Sequence, residues 1–210
     1  MIDVKNYEVT YLETHCYLIT DKDTGKMAVI DPGERSDELI EEIKKSSSPV
    51  EYILLTHGHY DHIGYAKQFA DMFDAKIVIG EDGADFLSSG MLNLSDFHRD
   101  ICKIEPFESD ILLKDKDTFK LGNTTITYIT TPGHTKGCGC YIADDNLFCG
   151  DTLFCESYGR TDLITGSDEQ MVKSLKKIKD LDGDYKVYPG HGPFSTLEHE
   201  RKYNPLMRKL

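Results

Sequence analysis

Two hydrophobic rhythms share this chain, and they divide it into strand-length and helix-length pieces. Residues 7–20 and 26–31 carry dense apolar and β-branched runs with Asp21 to Gly25 as a polar turn between them, and both read as strands. Asp31-Pro32-Gly33 stops the second run. Ser36 then precedes Asp37 and Glu38, and Lys44 and Lys45 follow, the charge order that a helix dipole favours. Leu39, Ile40 and Ile43 form the apolar stripe of that helix. The run at 52–55 predicts a buried strand. Residues 65–73 put Tyr65, Phe69, Met72 and Phe73 at helical spacing, and Lys76 to Ile79 gives another short strand. Residues 81–116 hold a short helix at 82–88 and a turn at Ser89-Gly90. Otherwise they follow neither rhythm, and they read as an insertion or bridge over the strand ends.

The order then recurs. Thr118 to Leu121 and Thr124 to Thr130 predict strands, and Cys138 to Ala143 with Asn146 to Cys149 predict a hairpin turned at Asp144-Asp145. Ser167 and Gln170 make a capping box for a helix through Leu181, with Met171, Leu175, Ile178 and Leu181 inward. Tyr185 to Tyr188 predicts a strand. Ser195 and Glu198 form a second capping box for a last helix that stops near Pro205. The chain therefore reads as a single domain over 1–210 with two similar halves, about 1–115 and 116–210. The pattern points to two sheets stacked face to face with helices outside.

Composition narrows the function. With 210 residues, 39% hydrophobic and 29% charged, the chain can bury a sizeable core, and no apolar run is long enough to span a membrane. A net charge of −13 repels phosphate backbones, which argues against a nucleic-acid partner. The N-terminus shows no basic-then-apolar leader, so a cytoplasmic location with reduced thiols is expected for the six cysteines. Cys138-Gly139-Cys140 has no partner pair, and buried structural thiols are expected there. The sequence does not fix an oligomeric state.

The chemistry concentrates in Thr56 to Gly64, where His57, His59, Asp61 and His62 follow an H-x-H-x-D-H order between the strand at 52–55 and the helix at 65–73. Gly58 and Gly64 allow sharp turns. Alternation in a turning segment aims His57 and His59 at one point and Asp61 and His62 at a second. Further strand-end loops carry His134 and His191, each in Pro-Gly-His, and Asp151 in Gly-Asp-Thr. The remaining histidines, His15, His98 and His199, lie outside these loops and read as ordinary polar residues. Imidazole and carboxylate donors suit zinc, and also iron or manganese.

This ordered set resembles the metallo-β-lactamase superfamily over essentially the whole chain. Pro132-Gly133-His134-Thr135, Gly150-Asp151-Thr152-Leu153-Phe154, Gly159-Arg160-Thr161-Asp162 and Pro189-Gly190-His191-Gly192-Pro193 resemble its glyoxalase II-like branch. The resemblance implies an α/β fold: a four-layer αββα sandwich of two mixed sheets with helices outside and a two-metal site at one edge between them. It implies that His57, His59 and His134 hold the first ion and that Asp61, His62 and His191 hold the second. Asp151 bridges the two ions, which are expected to be zinc, with iron or manganese as alternatives. The implied activity is hydrolysis of a thioester or related ester of a small molecule by metal-hydroxide attack. Asp61, His57, His59, His134 and Asp151 are the implied catalytic set. Tyr60, Phe154, Arg160 and Lys136 are the candidate substrate contacts, although Arg160 is expected rather to pair with Asp162 or to brace the metal shell.

Dedicated glyoxalase II enzymes continue into a helical region that grips glutathione, whereas this sequence ends at Leu210, one helix after His191. That departure leaves the thiol portion of the substrate open. A persulfide dioxygenase using one iron resembles the Gly159 to Asp162 segment, and a lactonase is a further alternative. A lactamase is disfavoured by the missing leader and a nuclease by the acidic balance. A non-catalytic scaffold module would be expected to have lost ligands, yet all seven positions are filled.

Overall fold

The computed structural model describes all 210 residues. Its first sheet has six strands in chain order: β1 (Ile2–Val9), β2 (Thr14–Asp21), β3 (Met27–Ile30), β4 (Val50–Leu54), β5 (Lys76–Gly80) and β6 (Ile111–Leu113). The first three pair antiparallel, and β3 through β6 run parallel. The second sheet holds β7 (Thr118–Leu121), β8 (Thr124–Thr130), β9 (Gly139–Ala143), β10 (Asn146–Gly150), β13 (Lys186–Pro189) and β14 (Ser195–Thr196). Its order is β14-β13-β10-β9-β8-β7, with β10 and β13 parallel. A small hairpin, β11 (Leu153–Phe154) and β12 (Ser157–Tyr158), stands apart. The helices are α1 (Asp37–Lys45), α2 (Tyr60–Ile63), α3 (Ala66–Phe73), α4 (Asp168–Lys179) and α5 (Leu197–Tyr203).

Strand alternation assigns each side chain to a layer. In β2, Cys16 and Leu18 pack with Leu39, Ile40 and Phe69 of α1 and α3, while Tyr17 and Ile19 turn the other way. That other face meets Ile126, Tyr128, Tyr141 and Phe148 of the second sheet. Leu147 and Cys149 of β10 point outward to Met171, Leu175 and Ile178 of α4 and Leu197 of α5. Three cores thus separate four layers, helix–sheet–sheet–helix. Strands buried on both faces explain the unbroken apolar runs in the sequence.

The sheets are also joined by polar contacts. Asp21, at the end of β2 and fully buried, accepts from the Thr24 hydroxyl at 2.7 Å and the Thr124 hydroxyl of β8 at 2.7 Å, and also from both backbone amides. Burial alone would push its carboxyl up, but these donors hold it well below the usual carboxylate range. Asp21→Asn should therefore cost about 2 kcal/mol, because an amide nitrogen replaces an acceptor facing buried donors. A depressed carboxyl stabilises fully above its unfolded value of about 4 and loses that contribution as the pH falls below it. Denaturant titration at pH 7 and pH 3 should show the gap between variant and parent shrinking in acid, and an unchanged gap would contradict the assignment.

Several sequence expectations need correction. The single strand at 7–20 is two strands, because Thr10 and Glu13 take φ of 64° and 57° and close a turn held by Glu13 N–H donating to Thr10 O at 3.2 Å. Thr10-Tyr11-Leu12-Glu13 contains no glycine or proline, so composition hid the turn. The helix read at 65–73 starts at Ala66, behind a separate four-residue turn, α2, and Met72 is 40% exposed. The last helix is capped by Thr196, whose hydroxyl accepts from His199 N–H, not by Ser195, which is held in β14 and bonds Glu200. The capping at Ser36 and at Ser167 is as expected. All six cysteines are unpaired, with Cys138 and Cys140 buried.

Candidate metal centre

The residues of interest all sit beyond the C-terminal ends of strands, at one end of the sandwich. His57, His59, Asp61 and His62 follow β4, His134 follows β8, Asp151 follows β10 and His191 follows β13. Two contacts between the sheets fix that end. Gly139 N–H donates to Thr56 O at 2.9 Å, and the Tyr141 hydroxyl donates to Leu55 O at 3.0 Å. Residues 81–116 lie against the cluster: Asn93 O accepts from Tyr60 N–H at 2.9 Å, and the Phe86 ring lies 6.2 Å from that of His59. A Cβ at Gly58 would stand 2.2 Å from Phe86, which is why the H-x-H segment needs glycine there.

The seven side chains predicted from sequence converge. His59 Nδ1 lies 3.2 Å from His57 Nε2 and 2.9 Å from His134 Nε2. Asp61 Oδ2 lies 3.4 Å from His62 Nε2 and 3.3 Å from His191 Nε2. Asp151 stands between the two groups. Its Oδ1 is 3.4 Å from His62 Nε2, and its Oδ2 is 3.5 Å from His134 Nε2 and 3.6 Å from His191 Nε2. Donors at 2.0–2.1 Å from a tetrahedral ion stand about 3.3 Å apart, so these separations match a shared focus. His62 Nε2 and Asp151 Oδ1 are both buried without a hydrogen-bond partner, and they face each other at a spacing too long for a hydrogen bond. That is the expected geometry of two ligands of one cation.

A surrounding shell fixes which nitrogen three of the imidazoles present. His134 Nδ1 contacts Arg160 O at 2.8 Å, His191 Nδ1 contacts Leu12 O at 3.1 Å, and His62 Nδ1 contacts Asp31 Oδ2 at 3.0 Å. In each case the acceptor takes the Nδ1 proton and turns Nε2 inward, where its lone pair would be available to a cation. Thr14 donates its hydroxyl to Asp61 Oδ2 at 3.0 Å. Burial and the neighbouring rings hold His57 well below its ordinary value, and burial with His134 brings His59 down to about 3. Burial also opposes charge on His62, but the carboxylates of Asp61, Asp151 and Asp31 outweigh it and raise that ring to about 10. Carboxylates this concentrated favour positive charge between them.

Sequence reasoning missed Asp31, which reads there only as a strand stop. Asp31 is buried at φ 51° and accepts from Thr56 N–H at 2.8 Å and the Thr56 hydroxyl at 2.6 Å besides contacting His62. A signal is present nonetheless: Asp31 ends β3 much as Asp151 follows β10. His15 also proves structural, for its ring meets the Tyr17 hydroxyl at 2.9 Å and its backbone N–H donates to Gly190 O at 2.8 Å, bracing the His191 loop.

The four candidate substrate contacts fall into two groups. Phe154 lies 6.2 Å from the ring of His191, whose side chain is 25% exposed. Tyr60 is buried, shares a 2.6 Å contact between its hydroxyl and that of Tyr11, and helps line a cavity of ≈ 330 Å³ with Gly33 and Gln68. The Arg160 guanidinium is paired bidentately with Asp162 at 2.7 Å, and Lys136 is paired with Asp85 at 2.6 Å. Arg160 therefore serves the cluster through its backbone carbonyl, and Lys136 is committed to another carboxylate.

Known proteins share both the sequence pattern and the fold. A model of the metallo-beta-lactamase superfamily matches residues 9–191. A Streptococcus pyogenes protein named as a probable metallo-hydrolase is 37% identical over 92% of this chain and 85% of its own length. Hydroxyacylglutathione hydrolase GloC of Haemophilus influenzae is 30% identical over 98% of both chains. Among solved structures, the BLEG-1 B3 metallo-beta-lactamase superposes with a TM-score of 0.89 at 30% identity over 99% of each chain. With its fold, its strand-end donors and these matches in agreement, the chain belongs to the metallo-beta-lactamase superfamily.

Proposed function

We propose that the chain hydrolyses a thioester, or a related ester, of a small molecule at a binuclear metal centre. His57, His59 and His134 would hold one ion, Asp61, His62 and His191 the other, and Asp151 would touch both. The observation that carries this reading is the pair of buried, partnerless donors, His62 Nε2 and Asp151 Oδ1, set 3.4 Å apart within a ring of five further donors. Zinc suits the nitrogen and oxygen donors, with iron or manganese as alternatives. Divalent ions bound there supply an acidified water as nucleophile and a Lewis acid for the carbonyl.

The chain's own residues do the rest. The acceptors on the Nδ1 atoms of His62, His134 and His191 keep those rings aimed, which avoids reorganisation during the reaction. The partly exposed His191, with Phe154 6.2 Å away, would be the edge at which the acyl group enters, since His57 and His62 are fully buried. Similarity to GloC, a hydroxyacylglutathione hydrolase, supports a thioester. Similarity to a B3 metallo-beta-lactamase puts lactams and lactones on the same test panel.

Metal analysis of the purified chain, with thioesters, lactones and β-lactams assayed with and without chelator, tests the reading. Two ions per chain and chelator-sensitive thioester hydrolysis are expected. One iron per chain with oxygen uptake would instead indicate a persulfide dioxygenase. A methyl on Gly190 would stand 2.1 Å from Asp151 Oδ1 and 2.8 Å from His62 Cε1. Gly190→Ala should therefore displace Asp151 and weaken metal binding about tenfold. Unchanged metal content in a folded Gly190→Ala chain would argue that Asp151 is not a ligand.

A further inference from the structure

A second cluster of donors lies outside this centre. Cys155 and Glu156 form the turn of the β11–β12 hairpin, and His199 sits in the first turn of α5. One ligand atom from each, the Cys155 thiol sulfur, a Glu156 carboxylate oxygen and a His199 ring nitrogen, lies within 4.8 Å of the others. His199 Nε2 and Glu156 Oε1 are 3.0 Å apart.

The surroundings hold this cluster in place. Glu156 takes φ 53°, a left-handed conformation that disfavours a side chain, and its N–H donates at 2.9 Å to Glu200 Oε2. Glu200 is fully buried and accepts also from Asn204 Nδ2 at 3.0 Å and from the Ser195 hydroxyl. No lysine or arginine pairs with Glu156 or Glu200, and the only basic group on either carboxylate is the His199 ring. Glu156 and His199 are both reachable from solvent, so an ion can enter the cluster. The thiol decides the class of ion. A thiolate, an imidazole and a carboxylate suit zinc, cobalt or cadmium and not magnesium or calcium.

We infer that Cys155, Glu156 and His199 form a third metal site for a borderline-soft divalent ion such as zinc, with one coordination position open to solvent. An ion there ties the hairpin that carries Phe154 to α5, and so steadies the aromatic edge beside His191. The donor sets make the site separable by spectroscopy. The seven donors of the main centre include no sulfur, so a sulfur-to-metal charge-transfer band reports the third site alone.

The full chain, first given two equivalents of zinc, is titrated with cobalt(II) and followed in the near ultraviolet. A saturable band is expected, with one further ion per chain. Cys155→Ser should abolish the band and Cys102→Ser should keep it. His199→Gln and Glu156→Gln should each weaken cobalt binding about tenfold or more. No band, a band that survives Cys155→Ser, or cobalt affinity unchanged in both His199→Gln and Glu156→Gln would each overturn the inference. None of these readouts depends on hydrolysis at the main centre.

Discussion

Asp151→Asn is expected to lower ester or thioester turnover about a thousandfold and to leave about one tightly held ion per chain. The substitution keeps the size of the side chain and its packing against Gly190, but it replaces one of two oxygens that between them reach both groups of donors. Oδ1 faces His62, while Oδ2 faces both His134 and His191. An amide cannot present two anionic oxygens, so one of the two ions loses a ligand and the pair loses a negative charge between them. Loss of about 4 kcal/mol of transition-state stabilisation corresponds to that factor of a thousand. The metal-free variant should melt lower than the parent, because without an ion the Asp151 carboxylate is a charge partner of the His62 and His191 rings at 3.4 Å and 3.6 Å, and an amide is not. Steady-state kinetics, metal content and a metal-free melting curve check all three. Retention of two ions with normal turnover would remove Asp151 from the centre.

Asp31→Asn should weaken metal binding and turnover by about 10- to 100-fold while touching neither ion. Both oxygens of Asp31 are committed: Oδ1 to Thr56 N–H at 2.8 Å, and Oδ2 to the Thr56 hydroxyl at 2.6 Å and His62 Nδ1 at 3.0 Å. The amide group of asparagine must turn an N–H toward one of these donors. His62 then loses the acceptor that keeps its Nε2 lone pair aimed inward, or Thr56 loses the anchor that starts the H-x-H segment. Because these partners are buried, the fold should also lose about 2–3 kcal/mol. A positioning role predicts a lower metal affinity together with lower stability, and Asp31→Glu should not rescue either, since the longer arm does not fit the φ 51° turn. Calorimetric metal titration beside denaturant unfolding separates the two losses. Normal metal affinity in Asp31→Asn would sink the assignment.

Much of this architecture is legible in the residue order itself. The Ser36 and Ser167 caps, the strand pair at Thr118 to Thr130 and the hairpin at Cys138 to Cys149 are readable because local chemistry and hydrophobic period agree there. The donors are legible for a different reason: histidine and aspartate are rare at strand ends in this number, and most of them stand beside glycine. The turn at Thr10–Glu13 is not readable because its left-handed residues are threonine and glutamate, held by tertiary contacts such as Leu12 O on His191. Asp31 is hidden for the same reason. Its strand-end place matches that of Asp151, but nothing local tells that this carboxylate orients an imidazole thirty-one positions later.

The two sheets contribute unequally to each group of donors. On the first side, His57 and His59 come from the β4 end and His134 from β8; on the second, Asp61 and His62 come from the β4 end and His191 from β13. An ion at either place is therefore a rivet driven through both sheets at their open end. Free ion at a hundred times its dissociation constant adds about 2.7 kcal/mol per rivet against unfolding. Drawing the rivets with a chelator should lower the midpoint of a calorimetric melt and loosen the layers first at that end, so the ions that the proposed chemistry requires would also bolt the sandwich shut.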